Sequence, residues 1–302
     1  MPVESDTRAL TAFSDGLAAA VEHAARSVVT VNARRRLPAT GIAWDANTIL
    51  TSDHVIERDE KITVTLPSGT EVPATIAGRD AGSDIALLRV EGVALVPIER
   101  SPSAAKTGQI ALSIGRPGPG GPMASFGVVS FSGGPWRTFR GTQIAGYLRS
   151  DTTFYPGFSG GPLIDSHGQM LGLNSSTLGR GSGLTLPIDA VQAVVAALAS
   201  TGRIKRGYLG VSSQAVRLPE ALTASVAGQE TGLLLTSVEP GSPAAAGLMI
   251  GDILVSVGGA KLESTDDLQG HLGPESVGKA MAISLFRGGA LTTATITAGE
   301  RT

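Results

Sequence analysis

Cysteine is absent from this chain of 302 residues, which excludes disulfide bonds, thiolate catalysis and cysteine metal sites. An excess of either charge is also lacking, since 24 Lys and Arg residues face 26 Asp and Glu residues. Proteins that bind nucleic acid carry a basic patch or stripe, so we expect no nucleic-acid partner. The chemistry of this chain must therefore depend on oxygen and nitrogen side chains.

Long hydrophobic runs are missing as well. The longest uninterrupted apolar stretch covers residues 193–199, far short of the ~20 residues that a membrane-spanning helix needs. Near the N-terminus, Glu4, Asp6, Asp15 and Glu22 interrupt any apolar core of a secretory signal. The sequence thus predicts no transmembrane segment. It predicts a cytoplasmic protein as written, or a periplasmic or secreted one if a leader has been removed.

Glycine, in contrast, is abundant, with 40 residues, about twice its average usage. From residue 28 to about 183, short β-rich runs alternate with Gly, Pro, Asp and Asn, which is typical of barrels or sandwiches. Leu10, Phe13, Leu17 and Val21 recur at helical spacing before this region and predict an amphipathic helix.

The length of the chain favours two domains, each large enough to bury a core. We predict an N-terminal amphipathic helical segment over residues 1–27 and a β-rich domain over 28–200 that ends in a helix. A linker, TGRIKR, is expected over 201–206, followed by a second domain over 207–302. This second unit has the size of an independently folding domain.

Histidine occurs at positions 23, 54, 167 and 271. Only His54 closes a strand-like run, TILTSDHVI, where its ring can be held rigidly. Asp84 follows a turn and leads into the apolar run IALLRV, so its carboxylate is expected at a strand entrance, partly buried. Taken alone, each residue has an ordinary structural explanation, because isolated histidines and turn aspartates are usually hydrogen-bonded parts of a fold.

Ser159 lies in the glycine-rich segment GFSGGP. This segment favours a catalytic role for His54 and Asp84 over the ordinary structural explanation. A serine nucleophile needs a neighbouring base and backbone N–H groups directed at the oxyanion that develops during attack. Glycine lets the backbone turn in the way such a loop requires. We expect Gly157, Phe158 and Ser159 to form the oxyanion loop, with the amides of Gly157 and Ser159 as its donors. A plain glycine-rich hairpin would not explain the chain order His, Asp, Ser.

Residues 157–161 also match the G-x-S-x-G elbow, in which a helix begins at the serine and the acid and the histidine follow it. In this chain His54 and Asp84 precede the serine, and the residues after it, PLIDSHGQMLGL, are typical of two strands joined by a turn. The required context of the elbow is missing, and this interpretation is disfavoured.

The motifs TSDHVI, GSDIALLRV and GFSGGPLID, in this order, resemble the trypsin-like serine peptidases, and specifically the HtrA/Deg group, which joins such a domain to a PDZ domain. The segments GYLGV at 207–211 and SVEPGSPAAAGLMIGDILVSVGGAKL at 237–262 are similar to the carboxylate-binding loop and the signature of that PDZ domain. The resemblance covers about residue 25 to the end. It implies a mainly β fold, a chymotrypsin-like pair of six-stranded barrels followed by a PDZ domain.

The resemblance also implies the roles of the three polar residues. His54 would be the general base and later the general acid, Asp84 the carboxylate that orients it, and Ser159 the nucleophile. No metal or other cofactor is expected. The implied activity is that of an ATP-independent serine endopeptidase acting on unfolded or misfolded polypeptides.

Two departures from the family pattern affect the site. Phe158 stands where the family usually has Asn, and Phe154 and Tyr155 replace smaller or amide residues. We expect Phe154 and Tyr155, with Leu184 and Leu186, to form a specificity pocket for an apolar residue. Phe158 leaves a second function open, a catalytically silent PDZ scaffold whose oxyanion loop it distorts.

The second domain is expected to bind peptide C-termini by adding them as a strand to its sheet. The residues expected at this groove are Tyr208, Leu209, Gly210, Val211, Leu268 and Leu272. Apolar periodicity alone does not separate groove residues from core residues, so Leu209 and Leu268 remain candidates for both. The resemblance further implies a homo-oligomer, with a trimer formed through the N-terminal segment and Phe13 as a contact residue.

Overall fold

The computed structural model describes residues 3–138, 142–179 and 183–300 of the chain. The chain divides into two compact units, Met1–Ile204 and Lys205–Thr302. The helix predicted to close the first domain runs to Thr201, one residue into the linker expected over 201–206. Within the described ranges, no helix has both the length and the apolar character needed to cross a membrane.

The first unit begins with a long helix and continues into a closed barrel. Helix α1 covers Val3–Ala25. The barrel strands are β1 (Val28–Asn32), β2 (Ala39–Ala43), β3 (Thr48–Thr51), β4 (Ile62–Thr65), β5 (Glu71–Asp80) and β6 (Ile85–Val90). They are ordered β1-β2-β3-β6-β5-β4, and β4 pairs antiparallel with β1, so no strand edge is left open.

A second closed barrel follows in the same unit. Its region contains β7 (Ile110–Gly115), β8 (Met123–Gly133), β9 (Trp136–Arg137), β10 (Gln143–Ile144), β11 (Tyr147–Ser150), β12 (Pro162–Ile164), β13 (Met170–Ser175) and β14 (Leu184–Pro187). The barrel order is β11-β14-β13-β12-β7-β8, while β9 and β10 pair as a separate ribbon. The prediction of a mainly β chain with two six-stranded barrels is confirmed.

Alternating side chains explain why these segments form barrel strands. In β4, Ile62 and Val64 are buried while Thr63 and Thr65 are partly exposed, the period of two that a strand with one core-facing side requires. Ile62 and Val64 belong to the apolar cluster that fills the first barrel. A larger apolar cluster joins residues of both barrels to helix α2 (Ile188–Thr201), for example Leu50, Leu173 and Val191. The two barrels and α2 are therefore joined by one apolar cluster.

The two helices of the first unit pack through their apolar faces. Ala20 and Ala24 of α1 contact Leu112 and Ile164 of the second barrel. Helix α2 is capped after Thr201 by Gly202, which adopts a left-handed φ of 71° and donates its N–H to Leu198 O at 2.7 Å. This is the usual backbone ending for a helix followed by glycine.

The second unit is built around a separate antiparallel sheet. Its elements are β15 (Gly207–Tyr208), β16 (Val211–Arg217), α3 (Glu220–Thr223), β17 (Thr231–Val238), β18 (Ile253–Val257), β19 (Ala260–Lys261), α4 (Thr265–Gly270), β20 (Ala280–Arg287), β21 (Ala290–Thr297) and β22 (Gly299–Glu300). The main path of the sheet is β16-β17-β18-β20-β21, so β16 lies at an edge. Helix α4 begins with a capping box in which Ser264 and Asp267 exchange side-chain and backbone hydrogen bonds.

Candidate active site and peptide groove

His54 is positioned by a short turn rather than by the strand in which the sequence places it. Strand β3 ends at Thr51, and His54 lies in a single 3₁₀ turn over Asp53–Val55. The turn is held because Asp53 donates its N–H to Asp84 O at 3.2 Å and Ile56 donates its N–H to Asp53 O at 3.0 Å. Arg79 Nε contacts Asp53 Oδ1 at 2.6 Å. These contacts hold the turn that carries His54, and they do not involve its ring.

Asp84 directly precedes β6 and adopts a left-handed φ of 57°. Its buried carboxylate lies 2.9 Å (Oδ1) and 2.8 Å (Oδ2) from His54 Nδ1 and accepts the His54 backbone N–H at 2.9 Å. Ser175 Oγ donates to Asp84 Oδ2 at 2.5 Å. The strand-entrance position expected for this carboxylate is the one observed.

The pKa of Asp84 reflects this environment. Burial by itself would raise the pKa, but the hydrogen bonds and charge of His54 and the hydroxyl of Ser175 outweigh it, so the pKa lies below its ordinary value. An ionised carboxylate accepts hydrogen bonds only, so the His54 Nδ1 that faces it carries the proton. In the neutral ring, Nε2 is then the nitrogen able to take up a proton.

Ser159 lies in a loop that is tied to both barrels. Thr40 Oγ1 donates to Gly157 O at 2.7 Å, and Gly160 donates its N–H to Asn174 O at 2.9 Å. Gly157 has a φ of 86°, a left-handed conformation that favours glycine. Within the part of the chain that the structure describes, the amides of Gly157 and Ser159 donate to no protein acceptor. They are the pair of N–H groups that the sequence predicts as oxyanion donors.

Phe158 is part of the predicted oxyanion loop but adds no third donor to the two amides expected there. Its N–H donates to Tyr155 O at 3.0 Å, so this amide is not available to an oxyanion. The Phe158 side chain is fully buried, lies 5.3 Å from the Tyr155 ring, and covers Gly115 so closely that a Cβ there would collide with the ring. The bulky residue is accommodated by a glycine on the neighbouring strand β7.

Sequence reasoning missed three hydroxyl residues beside the candidate site, namely Ser175, Ser176 and Thr177. Thr177 Oγ1 donates to Asp84 Oδ2 at 3.2 Å. Ser159 Oγ donates to Ser176 Oγ at 2.9 Å, and Ser176 Oγ lies 3.5 Å from His54 Nε2. The signal available in the sequence is the run of hydroxyl residues after a predicted strand, but only closure of the barrel brings this run to the site.

The four residues predicted to form a specificity pocket are placed differently from one another. Phe154 lies over Gly183, where an added Cβ would collide with its ring, while Tyr155 is 43% exposed. Leu184 and Leu186 are only 3% and 1% exposed and belong to the core cluster that includes α2. Their contribution to substrate choice stays a prediction.

A groove in the second unit has a volume of about 560 Å³ and lies between edge strand β16 and helix α4. All six residues predicted at the peptide groove line it, namely Tyr208, Leu209, Gly210, Val211, Leu268 and Leu272. Leu209 and Leu268 line the groove and also belong to the core of this unit, and their contact with a peptide stays a prediction. The Tyr208 hydroxyl donates to Glu239 at the same groove.

The remaining histidines of the first unit lie apart from Ser159. His23 pairs with Glu99 on the surface at 3.2 Å, and His167 lies in the exposed turn between β12 and β13. Over residues 3–138, 142–179 and 183–300, no group of three or more His, Asp or Glu side chains is arranged to hold a metal ion.

Two closed barrels with this arrangement of His54, Asp84 and Ser159 define the class of trypsin-like peptidase domains, here followed by a PDZ unit. Residues 39–173 match the family described as trypsin-like peptidase domain, and residues 207–298 match the PDZ domain family. The chain thus combines a trypsin-like peptidase domain with a PDZ domain, and in this it is similar to the HtrA-like proteins.

Relatives among curated proteins agree with this assignment. A protein of Hahella chejuensis named "Probable periplasmic serine endoprotease DegP-like" is 33% identical over 248 residues, which cover 80% of this chain and 52% of the relative. A protein of the same name from Halomonas elongata is 30% identical over 274 residues, covering 88% and 57%. The chain therefore spans little more than half the length of these curated relatives.

Solved structures show the same fold. The serine endoprotease from Yersinia pestis has a TM-score of 0.74 and 27% identity, with 94% of this chain and 97% of that chain covered. The HtrA-type protease AlgW with tripeptide has a TM-score of 0.72 and 26% identity, with 95% and 97% covered.

Replacing Ser175 with Ala tests the electrostatics of Asp84, because it removes one hydrogen bond that lowers the pKa of this carboxyl. A lowered folded-state pKa stabilises the fold above the unfolded value, about 3.9 for Asp, and this stabilisation is lost as the pH falls through the folded value. Ser175→Ala should therefore reduce the urea midpoint at pH 7, and the difference from wild type should shrink towards about pH 3.

Circular dichroism during urea titration measures both midpoints. Ser166→Ala, at an exposed turn position, is the matched control and should leave them unchanged. A loss in Ser175→Ala that is equal at the two pH values would show that the hydroxyl acts through packing and not through the charge of Asp84.

Proposed function

We propose that the first unit is a serine endopeptidase that hydrolyses peptide bonds through His54, Asp84 and Ser159. The single observation that carries this proposal is the buried Asp84 carboxylate on His54 Nδ1. The same unit presents Ser159 and two amides, of Gly157 and Ser159, that donate to no acceptor among the described residues. Such an arrangement supplies a base, its orienting carboxylate, a nucleophile and oxyanion donors.

In the proposed reaction, Ser159 Oγ attacks the carbonyl carbon of the peptide bond while its proton moves to His54 Nε2. The amides of Gly157 and Ser159 hold the oxyanion of the tetrahedral intermediate. His54 then gives its proton to the leaving amine, the C–N bond breaks, and an acyl ester remains on Ser159. Water, deprotonated by His54, attacks this ester and restores Ser159 with release of the carboxylic acid.

The alternative function, a catalytically silent scaffold, depends on Phe158 distorting the oxyanion loop. The buried position of Phe158 over Gly115 supports the enzyme instead. Its ring packs in the space above this glycine, so the oxyanion loop need not distort to accommodate it. The left-handed conformation of Gly157 supports the enzyme further, as does its amide, which has no acceptor within the ranges that the structure describes.

Unfolded or misfolded polypeptides are the proposed substrates. Hydrolysis through a triad requires the scissile peptide to lie extended against the loop of Ser159, with its carbonyl at the oxyanion donors. An unfolded chain reaches this geometry without the cost of local unfolding that a folded protein bears. The relatives are named serine endoproteases, which supports cleavage within a polypeptide chain.

The activity test compares wild type with Ser159→Ala on unfolded casein. Wild type should degrade casein, and Ser159→Ala should lose at least about 10³-fold in rate, because the triad residues act as a unit. Fragment release measured by gel electrophoresis gives the rates, and circular dichroism verifies that the variant is folded. Equal cleavage by both proteins, or none by either, would refute the mechanism.

We further propose that the groove between β16 and α4 binds peptide C-termini. Edge strand β16 offers unpaired backbone groups to an added strand, and the loop at Leu209 and Gly210 lies at its start. Leu268 and Leu272 supply an apolar wall on the helix side. Such binding would tether substrates or regulate the peptidase unit.

Amidation of the peptide terminus tests this binding mode. An apolar peptide with a free C-terminal carboxylate should bind on the order of tenfold or more tightly than its amidated form, because hydrogen bonds to a charged group contribute about 1.5–3 kcal/mol. Fluorescence anisotropy measures both dissociation constants. Equal affinity of the two peptides would place the binding determinant outside the carboxylate loop.

Self-association into a trimer is the third proposal. Phe13 of α1 is 47% exposed and contacts Phe126 edge-on at 6.1 Å, while Leu10 and Met123 are 69% and 42% exposed. Exposed apolar surfaces of this kind mark sites of protein association.

Light scattering tests this surface through Phe13→Ala. Wild type should have the mass of three chains, and the variant should shift to smaller species because it removes an aromatic contact. Val96→Ala, which truncates an exposed apolar side chain of the same unit, is the control and should keep the wild-type mass. A Phe13→Ala protein of unchanged mass would contradict the proposal.

A periplasmic location is also proposed for this protein. The relatives are named periplasmic, which supports the periplasmic alternative for this chain, while the cytoplasmic expectation finds no support in these names.

A further inference from the structure

The hydroxyl of Ser159 is engaged by one neighbouring residue. Ser159 Oγ donates a hydrogen bond to Ser176 Oγ at 2.9 Å, and the Ser176 backbone N–H donates back to Ser159 Oγ at 3.2 Å. Within the described ranges, no hydrogen bond joins Ser159 Oγ to His54. Instead, Ser176 Oγ is the hydroxyl within 3.5 Å of His54 Nε2.

A serine hydroxyl has one proton and therefore donates one hydrogen bond at a time. While Ser159 donates to Ser176, its proton is not directed at the base that must receive it. The N–H of Ser176 also engages a lone pair of Ser159 Oγ, and lone pairs are what the nucleophile offers to a carbonyl carbon. Both contacts hold Ser159 in an orientation that does not attack.

We infer that Ser176 is a positioning residue for the nucleophile: its hydroxyl holds Ser159 in a resting orientation, and attack requires Ser159 to turn from Ser176 to His54. This inference rests on the proposed peptidase function. Ser176 does not belong to the triad and follows Ser175, the last residue of β13.

The energy of one hydrogen bond determines how much a substitution of Ser176 changes the orientation of Ser159. Replacing the acceptor removes the stabilisation of the resting orientation, so the attack-ready orientation becomes more populated. For a single neutral hydrogen bond the gain in population is about two- to tenfold. The backbone N–H contact is independent of the side chain and stays in every variant except proline.

A proton relay is the competing role for the same geometry. In a relay, the Ser159 proton would pass to Ser176 Oγ while the Ser176 proton passes to His54 Nε2. The 3.5 Å separation from Nε2 is long for a hydrogen bond between a hydroxyl and a nitrogen, whereas the bond to Ser159 has ordinary length. The two roles predict opposite effects of removing the hydroxyl.

The experiment measures how fast Ser159 reacts with a small fluorophosphonate probe, which forms a covalent bond to an activated serine without needing the peptide groove. Ser176→Ala should be labelled about two- to tenfold faster than wild type. Ser176→Thr retains the hydroxyl and should return to the wild-type rate. Position 176 is exposed, so neither substitution disturbs the core. Ser166→Ala is the matched control and should label at the wild-type rate.

The acylation rate on a fluorogenic peptide, taken as kcat/KM, should change in parallel with labelling. A Ser176→Ala rate equal to wild type, or acceleration in Ser176→Thr as large as in Ser176→Ala, would overturn the inference. A rate in Ser176→Ala at least tenfold below wild type would overturn it in favour of the relay. Failure of the peptidase function itself is distinguishable, because wild type would then show no labelling that depends on Ser159.

Discussion

The buried carboxylate of Asp84 is the constraint on which the rest of the catalytic arrangement depends. A charge removed from water is costly unless it is paired and hydrogen-bonded, and Asp84 meets this requirement with partners from separate segments. The His54 ring and backbone come from the turn after β3, and the Ser175 hydroxyl comes from the end of β13 in the other barrel. Satisfying one carboxylate therefore aligns the first barrel with the second.

The same carboxylate determines the chemistry of the histidine. Because Asp84 stays ionised, it directs the Nδ1 proton of His54 towards itself and leaves Nε2 on the other side of the ring. That side holds the hydroxyls of Ser176 and Ser159, connected in a chain of hydrogen bonds. The hydrogen bonds of the Asp84 carboxylate thus determine which nitrogen of the His54 ring is available to take a proton from a nucleophile.

The loop that carries Ser159 shows how a bulky residue fits beside a site built from glycine. Phe158 fills space that the missing side chain of Gly115 leaves open, and Tyr155 packs against its ring. The left-handed turn at Gly157 and the hydrogen bond from Thr40 then determine where the amides of Gly157 and Ser159 lie. The aromatic Phe158 can therefore lie next to Ser159 in the oxyanion loop, because Gly115, which is distant in sequence, leaves space for its ring.

How much of the fold and of the candidate site follows from the sequence depends on how far apart along the chain the interacting residues lie. Motif order and residue chemistry indicate His54, Asp84 and Ser159 as candidates, and strand periodicity with turn residues indicates the barrels, because each motif and each strand pattern is local in the chain. The hydroxyls around these three residues and the fit of Phe158 on Gly115 depend on residues far apart in sequence. The sequence alone determined which residues are candidates for the chemistry and in which type of fold they lie. Only the tertiary structure decided which hydroxyl faces the nucleophile, because closing the barrels is what brings β13 beside the loop of Ser159.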